Sequence, residues 1–160
     1  MLKYIETAVT FREIPDEVTL CINITNCPNN CPDCHSPYLA EDTGEYLTIP
    51  AVIELIEEND GITAISFMGG DSEPSYVNKV AGFVRENYPK LKICWYSGAE
   101  TISKDIDIIN FDYIKVGPYD SKLGRLDSET TNQKMFKVEE YIDDLGPTFD
   151  LVDITHKFRK

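Results

Sequence analysis

The sequence predicts an α/β fold with a mostly parallel sheet, and three observations carry that prediction. Strand-like apolar runs alternate with helical stripes in the order β-α-β-α-β-α-β, which favours parallel strands joined by right-handed crossovers. Glycine and proline punctuate the ends of those runs, at Gly69-Gly70, Ser97-Gly98 and Gly117-Pro118. The chain has 160 residues, one domain's worth, so residues 1–160 are expected to form a single unit with a sizeable core. Four strands of this kind are too few to close eight units. The expectation is therefore an incomplete βα barrel or open curved sheet, with ligands at the carboxyl ends of its strands.

Each element has its own signal. Residues 18–24 alternate, with Val18, Leu20, Ile22 and Ile24 on one face and Thr19, Cys21 and Asn23 on the other, as a strand between two environments does. Residues 25–37 hold three prolines and three asparagines and must be largely loop. Pro50 opens a helix whose stripe is Val52, Leu55 and Ile56, ending near Asn59-Asp60-Gly61. A strand over 62–68 runs into Gly69-Gly70-Asp71. Ser75 is the expected cap of a second helix that buries Val77, Val80, Ala81 and Val84 and closes at Pro89. Residues 91–96 read as a strand, 103–110 as a short helix, and 113–116 as a strand stopped by Gly117-Pro118. Residues 119–131 are polar and aperiodic, long enough to suggest a functional loop or lid. Residues 135–138 and 149–154 read as two further strands around a turn at Gly146-Pro147.

Composition narrows the function classes. Lys and Arg number 15 against 28 Asp and Glu, a formal charge of −13, which repels nucleic-acid phosphates and anionic lipid alike. The one dense basic stretch, Lys157-Phe158-Arg159-Lys160, reads as a solvated terminus. No apolar run is long enough to span a bilayer, and the first ten residues have no leader pattern. A cytoplasmic protein without nucleic-acid or membrane partners is expected.

Chemistry concentrates in the cysteines. Cys21 and Cys94 lie in strand-like runs and read as small buried hydrophobes. Cys27, Cys31 and Cys34, spaced Cys-x3-Cys-x2-Cys, gather three thiolate donors within eight residues of loop after a strand. They fall one short of a four-cysteine iron-sulfur set or of a structural zinc site. Three readings stay open. One is an iron-sulfur cluster whose incomplete ligation leaves one iron free for another molecule. Another is a zinc-binding interaction module in which His35 is the fourth ligand. The third is a disulfide or unligated thiols.

This triplet in an alternating βα chain resembles the radical S-adenosylmethionine (SAM) superfamily. The resemblance implies a partial βα barrel of the radical SAM type. It also implies that Cys27, Cys31 and Cys34 hold a [4Fe-4S] cluster whose fourth iron is chelated by SAM. One electron from the reduced cluster then cleaves SAM to methionine and a 5′-deoxyadenosyl radical. Met68-Gly69-Gly70-Asp71 resembles the family's glycine-rich turn, so Gly69, Gly70 and Asp71 are implied to meet the methionyl end. In this sequence Ser72 and Glu73 precede Pro74, which makes Glu73 a second candidate for the acid. Tyr96 and Ser97 stand where the family approaches the ribose and sulfonium.

Within the superfamily the chain resembles activating enzymes of the class III, anaerobic ribonucleoside-triphosphate reductase. The residues that carry this are Cys27-Pro28-Asn29-Asn30-Cys31-Pro32-Asp33-Cys34-His35, the glycine turn, Val116-Gly117-Pro118-Tyr119 and Thr131-Asn132-Gln133-Lys134. Asp33 stands where many radical SAM enzymes have an aromatic residue. The resemblance implies a glycyl radical generated on the reductase as partner, and an electron donor such as flavodoxin or ferredoxin. An activase of the pyruvate formate-lyase type, or a small-molecule radical SAM enzyme, is the competing enzymatic reading.

Overall fold

The computed structural model describes residues 1–159 and leaves out Lys160, the last residue of the basic tail. Strands β1 (Lys3–Thr10), β2 (Thr19–Ile24) and β3 (Glu45–Tyr46) precede helix α1 (Ile49–Glu58). Strand β4 (Ala64–Met68), helix α2 (Pro74–Asn87), β5 (Lys92–Tyr96) and β6 (Tyr113–Val116) follow, and β7 (Lys134–Asp143) and β8 (Gly146–Asp153) end the sheet. All eight strands join one sheet in the order β3-β1-β2-β4-β5-β6-β7-β8.

Only the central ladders β2·β4, β4·β5 and β5·β6 are parallel. The ladders of β1, β3, β7 and β8 are antiparallel. The sheet is therefore mixed, which corrects the expectation of a mostly parallel one. The predicted βα repeat is its centre, and antiparallel strands extend both sides. Among the described residues no helix is long and apolar enough to cross a membrane.

Local chemistry explains the helices. Thr48 caps α1 by accepting the Ala51 N–H at 3.1 Å, and Asn59 closes it by donating to the Leu55 carbonyl at 2.7 Å. Helix α2 starts at Pro74 rather than after Ser75, since the ring's fixed φ suits the first turn; Glu73 is the cap position and makes no side-chain cap bond. The helix expected over 103–110 shrinks to a 3-10 turn, Ile108–Asn110. Ser103 and Asp107 accept from the Asp105 and Ile109 amides and hold the backbone in local turns instead. Strands β7 and β8 are longer than expected, and Asp144-Leu145 makes the turn, with Gly146 already paired to Asp143.

Two cores sandwich the sheet. Leu20, Ile22, Ile65, Phe67, Ile93, Trp95 and Ile114 point at the helices, where they meet Val52, Val77, Val80 and Val84. On the other face the β1–β2 connection drives Ile14 against Ala64 and Cys94, beside Tyr113, Leu126, Met135 and Ile154. Cys21 and Cys94 are buried, as expected. The last row on this second face, read across the register, is Asn23, Met68, Tyr96 and Lys115. It lies at the carboxyl ends of the parallel strands.

Candidate metal centre

The cysteine loop leaves β2 and is pinned at its base. Thr25 donates through its amide to the Lys3 carbonyl and through its hydroxyl to Thr43, and the Asn26 and Cys27 amides reach Glu41 and Leu39 at 3.0 Å. Within the loop each ligand candidate follows a residue of positive φ: Asn26 (62°), Asn30 (45°) and Asp33 (58°). Asn and Asp are the side-chain-bearing types that tolerate this region best, which accounts for Asp33 where an aromatic residue would be strained. All three cysteines are free thiols, Cys27 and Cys31 half-buried and Cys34 exposed. The Ser36 amide donates to Cys34 Sγ at 3.4 Å, and Asn29 Nδ2 lies 3.6 Å from Cys27 Sγ.

Three soft thiols on one loop have the donor chemistry that an iron-sulfur cluster takes. Among the described residues, no three Cys, His, Asp or Glu side chains converge on a position for one metal ion. A polynuclear cluster takes each thiolate on a separate iron, whereas zinc needs all its ligands at one centre. His35, the candidate fourth zinc ligand, packs its ring against Tyr119 with centroids 4.8 Å apart.

Asp71 ties this loop to the sheet. Its carboxylate accepts from Asn29 Nδ2 at 2.7 Å, from Ser97 Oγ at 2.5 Å and from the Gly98 amide at 2.8 Å. About four acceptor sites on a carboxylate leave one for a further donor. Glu73, the other candidate acid, instead lies 2.8 Å from the Met1 amino group. Gly69 and Gly70 adopt φ of 108° and 100°, and a Cβ on Gly70 would sit 2.5 Å from Val77 Cγ2. The Gly69 carbonyl accepts from Trp95 Nε1 at 2.8 Å, so a buried tryptophan fixes the turn.

A cavity of about 780 Å³ opens beside Cys34. Cys34, His35 and Ser36 form one wall, Tyr96 and Lys115 the strand-end wall, and Tyr119, Arg125, Leu126 and Asp127 the loop wall. Phe11, Arg12 and Glu13 close one side, Lys157 and Phe158 another. The tail read as a solvated terminus thus contributes two residues to the cavity. Of the predicted site residues, Cys34 and Tyr96 line it, and Cys27, Cys31, Gly69, Gly70, Asp71 and Ser97 do not. The Tyr96 hydroxyl donates to the Glu13 carbonyl at 2.6 Å, and burial pushes its phenol well above the ordinary value. Ser97 is fully buried, its hydroxyl donating to Asp71.

Two residues at this site escaped the sequence reading. Lys115 is buried with Nζ 2.7 Å from the Gly117 carbonyl and 3.1 Å from that of Ser97. Burial lowers its pKa from 10.5 to about 8, while Asp71, Cys31 and Cys27 pull the other way. The signal was a lysine in a four-residue central strand, on the face opposite Ile114 and Val116. Asn29 is the second, and only the fold reveals its partners. The late motifs meet as well: Asn132 Nδ2 reaches the Pro118 carbonyl at 3.0 Å and Gln133 Nε2 that of Gly117 at 3.5 Å. No family model, curated protein or solved structure matches this chain.

Proposed function

We propose that this protein is an iron-sulfur radical SAM activase that generates the glycyl radical on an anaerobic ribonucleoside-triphosphate reductase. The supporting observation is the junction at Asp71, where the cysteine loop, the glycine turn and the end of β5 meet at the carboxyl ends of parallel strands, beside a cavity walled by Cys34. In this reading Cys27, Cys31 and Cys34 hold a [4Fe-4S] cluster, and the open mixed sheet is a partial βα barrel. When bound, the cluster supplies the electron, received from a donor such as flavodoxin or ferredoxin, that cleaves SAM to methionine and a 5′-deoxyadenosyl radical.

The chain's own residues do the positioning. In this reading the Gly69-Gly70 turn, held by Val77 and Trp95, faces the methionyl end of SAM, and the remaining acceptor site of Asp71 suits its ammonium. Ser97 acts through Asp71. Arg12, Lys115, Arg125 and Lys157 outnumber Glu13 and Asp127 on the cavity wall, which favours a carboxylate there despite the acidic surface. In this reading a glycine-bearing loop of the reductase enters the cavity and shields the reactive radical from water. A cytoplasmic location agrees with such oxygen-sensitive chemistry.

Anaerobic reconstitution with iron and sulfide, then incubation with SAM, strong reductant and the reductase, tests the proposal. The expected result is a brown protein, methionine release and a glycyl radical signal by electron paramagnetic resonance. Failure to take up iron and sulfide overturns it. SAM cleavage with no radical on the reductase, but a radical on a formate-lyase-type partner, selects the competing activase.

A further inference from the structure

We propose that Asn29 is a positioning residue that raises the reduction potential of the cluster by donating one amide hydrogen to Cys27 Sγ while Asp71 holds the other. This rests on the reading that Cys27, Cys31 and Cys34 carry an iron-sulfur cluster.

The geometry leaves the side chain little choice. Asn29 Nδ2 lies 3.6 Å from Cys27 Sγ and 2.7 Å from Asp71 Oδ2. Both neighbours are acceptors, so only the NH2 end can face them, with one hydrogen for each. Asp71 is itself fixed by Ser97 Oγ and the Gly98 amide. The amide orientation is thereby imposed from β5, outside the cysteine loop. Gly98 is the second, independent sign that the position is built: a Cβ there would lie 2.6 Å from Asn29 Nδ2. The space that glycine leaves is occupied by this amide.

The chemistry follows from charge. Reduction adds negative charge to the cluster and its sulfurs, and an N–H aimed at a sulfur stabilises the reduced form more than the oxidised one, so the potential rises. A radical SAM centre works at very low potential, and each such bond makes the electron easier to load. Asp71 sets this bond at a distance, by orienting the donor.

The test compares reconstituted wild type with Asn29→Ala and Gly98→Ala. Midpoint potentials are read by paramagnetic resonance during redox titration, and exchangeable hydrogens coupled to the reduced cluster are counted in deuterated buffer. Both variants are expected to hold wild-type iron and sulfide, to be several-fold harder to reduce, each tenfold step being ~59 mV for one electron, and to lose one exchangeable coupling. Gly98→Ala keeps every other side chain and only displaces the amide. It therefore decides alone if Asn29→Ala fails to load. Loaded variants with wild-type potential and coupling overturn the inference. A wild-type protein that takes up no cluster overturns the underlying reading instead, before any variant is compared.

Discussion

Gly70 and Lys115 show how single residues hold tension at this site. Gly70 combines a φ of 100° with a Cβ position 2.5 Å from Val77, whereas Gly61 at 84° has open space around it. Gly61→Ala should therefore cost about 1 kcal/mol from backbone strain alone, and Gly70→Ala about 3 kcal/mol or more once overpacking is added; urea unfolding of the two variants reads the difference. Among the cysteines, alanine at Cys27, Cys31 or Cys34 should abolish iron and sulfide uptake, while Cys21→Ala and Cys94→Ala should retain it, because both are buried in the sheet. Lys115 predicts a pH dependence of the cluster-free protein. Its folded pKa of about 8 lies below the ordinary 10.5, so between these values the unfolded chain binds more protons and stability rises with pH, by up to about 3 kcal/mol. Burial raises Cys21 from 9.0 to about 11 and Cys94 further still. Above pH 9 these acids keep protons that the unfolded chain releases, and stability falls. Denaturant midpoints should therefore climb from pH 8, peak near 9 and decline, and Lys115→Met should remove the climb but not the decline.

At the scale of elements, the central strands were legible because each is an apolar run cut off by glycine or proline, and the cysteine triplet because its spacing is local. Strands β1 and β3 were not. Lys3–Thr10 is mostly exposed, so it carries little of the burial pattern by which a strand is read, and a two-residue strand has no pattern at all. The Asn29–Asp71 and Lys115–Ser97 contacts were beyond reach for another reason: they join residues brought together only by the sheet register. Of residues 119–131, read from the sequence as a functional loop or lid, Tyr119, Arg125, Leu126 and Asp127 line the cavity. Ser121 Oγ donates to Asp33 at 2.9 Å, and Tyr119 packs on His35. Its two cations now separate: Arg125 lines the cavity, while Lys122 is exposed outside it. Lys122→Glu should keep partner-free SAM cleavage near wild type and lower glycyl radical yield several-fold, whereas Arg125→Glu should depress both. Unchanged radical yield in Lys122→Glu would make the outer face of the loop an ordinary surface.

Across the whole molecule, burial is unevenly distributed, and the hairpin β7–β8 marks the boundary. Strand β6 pairs with β7 only from Lys134 to Lys137. Beyond that the hairpin runs on as a two-stranded arm, with Ile142 83% and Leu145 98% exposed. Residues 139–153 carry six Asp and Glu and no Lys or Arg. Like charges on such an edge oppose pairing with a second copy, which is how an exposed strand escapes aggregation. The root is different. Met135 is fully buried and Ile154 nearly so, both within the core of the sheet's second face, and the Thr155 hydroxyl accepts the Met135 amide at 3.0 Å. The arm should therefore be dispensable to the fold and the root should not. Replacing residues 140–149 with Asn-Gly joins Glu139 to Asp150, which already face each other, through a two-residue turn suited to a hairpin. That variant should unfold within about 1 kcal/mol of wild type, because it removes almost no buried apolar surface. Met135→Ala, which removes fewer atoms, should cost about 2 to 5 kcal/mol through the cavity it leaves. Calorimetry on the two proteins gives the comparison. A shortened hairpin as damaging as Met135→Ala would mean that the arm is part of the folding unit.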